Sequence, residues 1–106
     1  MNQEDEREMS KKPEICRMMT LSTAHVSEAT MLLLQREPDE NNLALTVYPK
    51  GQDFEYGCFV YMPERPWSRL PEDLRGLLRR CEEEGCTVLC LDGDAEPLDG
   101  VKTYDW

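Results

Sequence analysis

The sequence predicts an α+β domain, with an antiparallel sheet that carries two helices on one face. Three observations indicate this class. Four segments have the apolar patterns of strands, at residues 16–22, 43–48, 55–62 and 86–91. Two segments with helical signals separate the first strand from the second and the third from the fourth. The middle two strands are close enough along the chain to form a hairpin.

The first strand and the first helix are adjacent along the chain. Residues 16–22 predict a strand, and Ser27 is a suitable N-cap for a helix that follows it. Glu28 lies in the first turn, where the helix dipole favours a negative charge. We expect this helix to run from residue 28 to about residue 36 and to end before Pro38.

The predicted hairpin joins residues 43–48 to residues 55–62. In LALTVY, the side chains of Leu43, Leu45 and Val47 share one face. The second strand, EYGCFVYM, is rich in aromatic and β-branched residues. The connection, residues 49–54, contains Gly51 and predicts a loop.

The second helix has the clearest pattern in the chain. An apolar stripe with offsets of zero, four, seven, eight and eleven is formed by Leu70, Leu74, Leu77, Leu78 and Cys81. Pro71 suits its first turn and Gly85 its end, whereas Gly76 inside it costs about 1 kcal/mol relative to alanine. CTVLCL, residues 86–91, is a nearly continuous apolar run, as expected of a buried strand.

The resulting β-α-β-β-α-β order is ferredoxin-like. Right-handed crossovers place both helices on one face, and the first and fourth strands are then adjacent and antiparallel. We expect residues 1–14 to form a disordered acidic arm and residues 15–106 to form a single domain.

The charge excludes some functions. The chain has 22 acidic and 12 basic residues, a net charge of −10. This charge argues against direct nucleic-acid binding through a basic patch and favours basic partners. The polar first residues lack the apolar core of a signal peptide, and no apolar run spans a bilayer, so we expect a cytoplasmic protein without membrane contact.

The cysteines and the acidic turn do not form a recognisable metal motif. The five cysteines are Cys16, Cys58, Cys81, Cys86 and Cys90, and core packing explains them best. The turn at residues 92–100 lacks the glycine and glutamate that an EF-hand loop requires. We therefore predict no metal site and no cofactor, and a looser magnesium site at Asp92, Asp94 and Asp99 is the alternative.

Polar residues at the end of the first strand form a candidate ligand site. In LSTAH, Ser22, Thr23 and the single histidine, His25, precede a helix N-terminus. Hydroxyl residues at this position also serve as caps, and we favour this interpretation because no catalytic partner is near in sequence. The terminal TYDW predicts docking of Tyr104 or Trp106 on the domain, with an exposed partner anchor as the alternative.

Several blocks together resemble a known family. They are STAH before a helix, YGCFVYM, LPEDLRGLL followed by EGC, LCLDGD and the terminal DGVKTYDW. In this order they resemble the bacterial domain-of-unknown-function family 5983, from about residue 20 to residue 106. The resemblance implies an accessory protein of plasmids and integrative elements, often found among antirestriction genes, and it implies no catalytic residue.

Two functions follow as hypotheses. The first is an inhibitor, anti-CRISPR or antirestriction, that binds a host defence nuclease or other basic protein through acidic and aromatic side chains. Its candidate residues are Glu82, Glu83, Glu84, Asp92, Asp94, Asp99, Tyr104 and Trp106. The second is a small-ligand or metal-binding protein that uses the His25 corner and the Asp92–Asp94 turn, which requires the first and fourth strands to run parallel. The sequence leaves enzymatic activity open and favours a protein that is not an enzyme.

Overall fold

The computed structural model describes residues 13–106, which contain four strands and two helices. The strands are β1 (Met18–Ser22), β2 (Val47–Lys50), β3 (Gly57–Tyr61) and β4 (Val88–Asp92), and the helices are α1 (Glu28–Glu40) and α2 (Glu72–Glu83). Short 3₁₀ turns cover Thr23–His25 and Gln52–Phe54. The predicted arm at residues 1–14 lies outside the described residues except for residues 13 and 14, which are exposed.

The order of elements agrees with the prediction, but the sheet does not. Its strand order is β1-β4-β3-β2, and β1 pairs with β4 in parallel, whereas the other two pairs are antiparallel. The domain is therefore α+β with a mixed sheet, and the predicted antiparallel sheet is wrong. The first and fourth strands are neighbours, as in a ferredoxin-like fold, but they run in the same direction.

The reversed direction of β4 follows from the connection between β3 and α2. The end of α2 leads directly into β4, because the Cys86 N–H donates to the carbonyl of Cys81. The start of α2 lies beside the opposite end of the sheet, where the Ser27 N–H donates to the Asp73 carboxylate at 2.8 Å. Residues 62–71 therefore carry the chain back along the sheet before α2 begins, and the buried Trp67 fixes them to the core.

Both helices pack on one face of the sheet. The predicted stripe of α2 is buried, and it forms one core cluster with Met31 and Leu34 of α1 and with the inward residues of all four strands. Strand β4 is buried on both faces, whereas β1 has the mixed burial of an edge strand. This burial pattern explains why β4, and not β1, has two neighbours in the sheet.

Some boundaries differ from the predicted ones. Helix α1 continues through Pro38 to Glu40 and ends at Asn41, whose left-handed backbone closes it. The strand expected at residues 43–48 begins only at Val47, because Ala44 has a φ of 54° and interrupts the extended chain. Gly57 starts β3 with a φ of 129°, and a Cβ there would lie 1.8 Å from the Leu91 carbonyl oxygen. Only glycine fits this approach of two strands.

Candidate functional site

The candidate residues that follow β1 and those that follow β4 lie at the same end of the sheet. Because these strands are parallel, Ser22 and Asp92 are register partners, and Asp92 also pairs with Gly57 of β3. The loop from β2 to β3 is tied to this end, since the Gly93 N–H donates to the Tyr56 carbonyl at 2.9 Å. Two loops and the corner after β1 therefore form one continuous surface.

This end of the sheet is acidic. We define the acidic end as Asp53 and Glu55 from the β2–β3 loop together with Asp92 and Asp94 at the end of β4. Asp53, Glu55 and Asp94 are exposed and Asp92 is partly exposed. The cation next to them is Lys50, whose Nζ lies 3.6 Å from a carboxylate oxygen of Asp92. The acidic end thus presents an excess of negative charge around an exposed aromatic ring, that of Tyr56.

His25 is a structural residue in this arrangement. Its side chain is 2% exposed, and both ring nitrogens have backbone partners. Nδ1 lies 2.9 Å from the Lys102 carbonyl, and Nε2 accepts the Leu98 N–H at 2.9 Å. These partners require the neutral tautomer with the proton on Nδ1. The ring therefore fastens the C-terminal segment to the corner after β1, and neither nitrogen is left for a ligand or for proton transfer.

The two hydroxyl residues that precede His25 differ in burial and in hydrogen bonding. The Ser22 side chain is buried and accepts the Ala24 N–H at 3.0 Å, so it caps the 3₁₀ turn. Thr23 is partly exposed, and its Oγ1 lies 3.9 Å from the position of a Cβ built on Gly93. The candidate ligand residues are thus brought to the same end as Asp92 and Asp94, but only Thr23 among them faces the acidic turn.

The C-terminal residues dock on the domain. The Tyr104 N–H donates to the Ala24 carbonyl at 2.8 Å, and the Trp106 indole N–H donates to the Val26 carbonyl at 2.9 Å. Trp106 keeps 55% of its surface exposed, so it docks on the domain and still presents an aromatic surface to solvent. Asp99 is exposed in the segment between these contacts and β4.

The structure separates the other candidate acids from the acidic end. Glu82, Glu83 and Glu84 are exposed at the end of α2, which leads into the start of β4. The length of β4 alone, about 13 Å, separates this group from Asp92. Glu82 also forms an ion pair with Arg65 at 2.7 Å. The acids of the predicted surface therefore lie at opposite ends of the sheet.

Sequence reasoning missed Asp53 and Glu55. They belong to the hairpin connection, and only the strand directions place that connection beside the turn after β4. It also missed Glu37, which is 2% exposed and accepts the N–H groups of Leu43 and Leu45. The sequence could have indicated Glu37 because it is an acidic residue on the apolar side of a helix that leads into an irregular segment. Its hydrogen bonds hold that segment in place.

The buried thiols are poor nucleophiles. Burial, with a smaller contribution from the neighbouring Cys90, raises the pKa of Cys58 to about 12. Burial, followed by Cys86, raises the pKa of Cys81 to about 11. Burial also raises the pKa of Cys90, and the Thr20 hydroxyl and Lys50 partly oppose it. These thiols stay protonated at neutral pH, which favours their interpretation as core residues.

Two features are absent from the part of the chain that the structure describes. Residues 13–106 contain no group of three or more histidine, cysteine or acidic side chains placed to hold a metal ion. None of the helices within these residues has the length and apolar character needed to cross a membrane.

Comparison with known proteins identified one family. Residues 18–106 match the model of the C-terminal domain of a family of unknown function, DUF5983. A search of curated proteins and a search of solved structures found no match.

Proposed function

The chain belongs to the DUF5983 family, and from this premise we propose that it is a small accessory protein of a mobile genetic element that inhibits a host defence nuclease. The acidic end binds a basic surface of that nuclease. The observation that carries the proposal is the convergence of Asp53, Glu55, Asp92 and Asp94 on one end of the sheet, around the exposed ring of Tyr56.

Electrostatic complementarity supports this kind of partner. Defence nucleases hold nucleic acid in basic channels that are built to contact phosphates. A surface with several carboxylates is attracted to such a channel, and the attraction speeds association. The exposed ring of Tyr56 adds an apolar contact, and tyrosine is among the residues that contribute most at interfaces.

The rigidity of the acidic end also favours binding. Asp92 is fixed by its ladder with Ser22 and Gly57, and its Oδ1 accepts the Asp94 N–H at 2.8 Å. The other loop is hydrogen-bonded to the same turn through Tyr56. The Asp92 carboxylate and the backbone of both loops therefore lose little freedom on association, so less binding free energy is spent on ordering them.

A small-ligand or cation site at the same end is the second candidate. The parallel pairing of β1 with β4 supplies the shared end that this alternative requires. The polar atoms of Ser22 and His25 are already bonded within the chain, however, which leaves Thr23, Asp92 and Asp94 as its donors. This function is the second candidate because two of the expected ligand-binding residues, Ser22 and His25, have no free polar atom.

The test compares two charge variants of equal size. Asp53→Asn/Glu55→Gln/Asp94→Asn neutralises three carboxylates at the acidic end, and Glu82→Gln/Glu83→Gln/Glu84→Gln neutralises three at the opposite end. Each tagged variant is purified from its host at low and high salt, co-purifying nucleases are identified, and their activity is measured with and without added protein.

We expect the wild type and the Glu82–Glu84 variant to retain a nuclease at low salt and to inhibit it, and high salt to weaken the complex. The acidic-end variant should lose about tenfold or more in affinity, since three interfacial charges each contribute up to about 1 kcal/mol. Equal affinity of the two variants, or no inhibition by the wild type, would overturn the proposal. Tight binding of Mg²⁺ by a partner-free protein, lost in the acidic-end variant, would support the second candidate instead.

A further inference from the structure

A groove of about 660 Å³ lies between α2 and the C-terminal segment. One wall is the face of α2 that carries Gly76, Arg79 and Arg80, and the other is formed by residues 100–104, including Lys102 and Tyr104. From its charges and shape we propose that this groove binds a small polyanion, a phosphate- or carboxylate-bearing molecule of nucleotide size or smaller.

Three cationic side chains line the two walls of the groove, although the chain as a whole has a net charge of −10. Arg79, Arg80 and Lys102 are exposed. Within residues 13–106 the ion pairs are Lys50–Asp92 and Arg65–Glu82, so none of the three cations forms an ion pair with a carboxylate of that part of the chain. An anion between the walls meets arginines from the helix and a lysine from the facing segment. The guanidinium group suits both carboxylates and phosphates, because its N–H groups bond two oxygens at once.

The two acidic residues that line the groove offset only part of this charge. Asp73 is bonded within the chain, since it accepts from the Ser27 N–H, the Thr30 hydroxyl and the Leu74 N–H at 2.8–2.9 Å. Glu72 is exposed at the first turn of α2. Three cations therefore outnumber two carboxylates on the lining of the groove, and the oxygens of Asp73 are already occupied by donors within the chain.

Gly76 leaves helix backbone open to the groove. A Cβ built at this position meets nothing within 4 Å, so no packing contact within residues 13–106 requires a glycine. Glycine is nevertheless among the weakest helix formers, and it lies in the middle of α2. A missing side chain lets a bound molecule approach the helix closely, next to the arginines one turn further on.

The volume restricts the class of ligand. Pockets for small molecules typically measure about 300–1,000 Å³, and this groove falls within that range. The C-terminal wall is held by the bonds of His25 to Leu98 and Lys102, so it exists before any ligand arrives. A cationic pocket that is already formed selects for charge density, which citrate and nucleoside triphosphates both provide.

The test is calorimetric titration of the full chain at low salt with citrate, ATP and inorganic phosphate. We expect one site for citrate or ATP, and the preferred probe shows whether carboxylate or phosphate is the ligand chemistry. Arg79→Gln and Lys102→Gln should each weaken binding about tenfold. The matched control is Arg36→Gln, which removes the same charge from an exposed position on α1 and should leave binding unchanged.

A further variant separates a site from diffuse attraction. Gly76→Leu fills the groove, improves the helix propensity of α2 and leaves every cation in place, so it should raise the melting temperature while abolishing binding. The proposal is overturned if neither citrate nor ATP binds the wild type, if Arg36→Gln weakens binding as much as Arg79→Gln does, or if Gly76→Leu binds as the wild type does.

Discussion

Replacing His25 by phenylalanine should release the C-terminal segment. The imidazole is almost wholly buried and makes two hydrogen bonds of 2.9 Å, one to the Lys102 carbonyl and one from the Leu98 N–H. Phenylalanine places a slightly larger aromatic ring at the same position and makes neither bond. Each neutral hydrogen bond contributes about 0.5–1.5 kcal/mol to stability, so we expect the free energy of unfolding to fall by about 1–3 kcal/mol.

The assay has a global and a local readout. For a domain of this size, 1 kcal/mol corresponds to about 4 °C, so the melting temperature should fall by about 4–12 °C. Hydrogen exchange at the Leu98 and Tyr104 amides should accelerate by more than exchange in β4, because the exposed segment can open without the sheet.

The control is Lys102→Ala, which removes a side chain but keeps the carbonyl that His25 contacts. Its free energy of unfolding should change by less than about 0.5 kcal/mol. If His25→Phe is as stable as Lys102→Ala and leaves the Leu98 amide protected, the ring does not hold the segment and the reasoning is refuted.

Two further predictions concern buried ionisable groups. Glu37→Ala removes the acceptor of the buried Leu45 N–H and should lower the free energy of unfolding, measured by urea denaturation, by about 2–4 kcal/mol. Glu40→Ala, at an exposed position, should lower it little. Equal losses in the two variants would contradict the role assigned to Glu37. The second follows from the thiol pKa values, raised from 9.0 to about 12 at Cys58 and about 11 at Cys81. Above pH 9 the unfolded chain releases these protons and the folded chain keeps them. The free energy of unfolding should therefore fall by about 2–3 kcal/mol between pH 8 and 10. If the Cys58→Ala/Cys81→Ala variant shows the same dependence of stability on pH as the wild type, this prediction is refuted.

The local patterns were informative because each depends on neighbouring residues. The stripe from Leu70 to Cys81 predicted α2, and the burial of that stripe confirms the prediction. The continuous apolar run at residues 86–91 indicated a buried strand, and β4 is buried on both faces. A strand buried on both faces belongs inside a sheet, whereas a ferredoxin-like order places the fourth strand at an edge. The sequence therefore contained a signal against the order that we predicted.

The direction of β4 was not predictable in this way. It depends on where α2 begins, and this depends on the path of residues 62–71, which have no periodic pattern. The acidic end depends on the same path, because Asp53 and Glu55 approach Asp94 only when β3 and β4 are antiparallel neighbours. Candidate residues on each element could be named from the sequence, but their grouping is a property of the topology.

Only one of the two proposed surfaces depends on the hydrogen bonds of His25. The C-terminal segment that His25 holds carries Lys102 and forms one wall of the groove. The acidic end does not depend on that segment, since Asp92 is fixed by strand pairing and its turn is bonded to the β2–β3 loop through Tyr56. The His25→Phe protein should therefore lose binding of citrate or ATP and still capture a basic partner. A protein that lost both would show that the two surfaces form one functional unit, because loss of the groove wall alone removes no carboxylate from the acidic end.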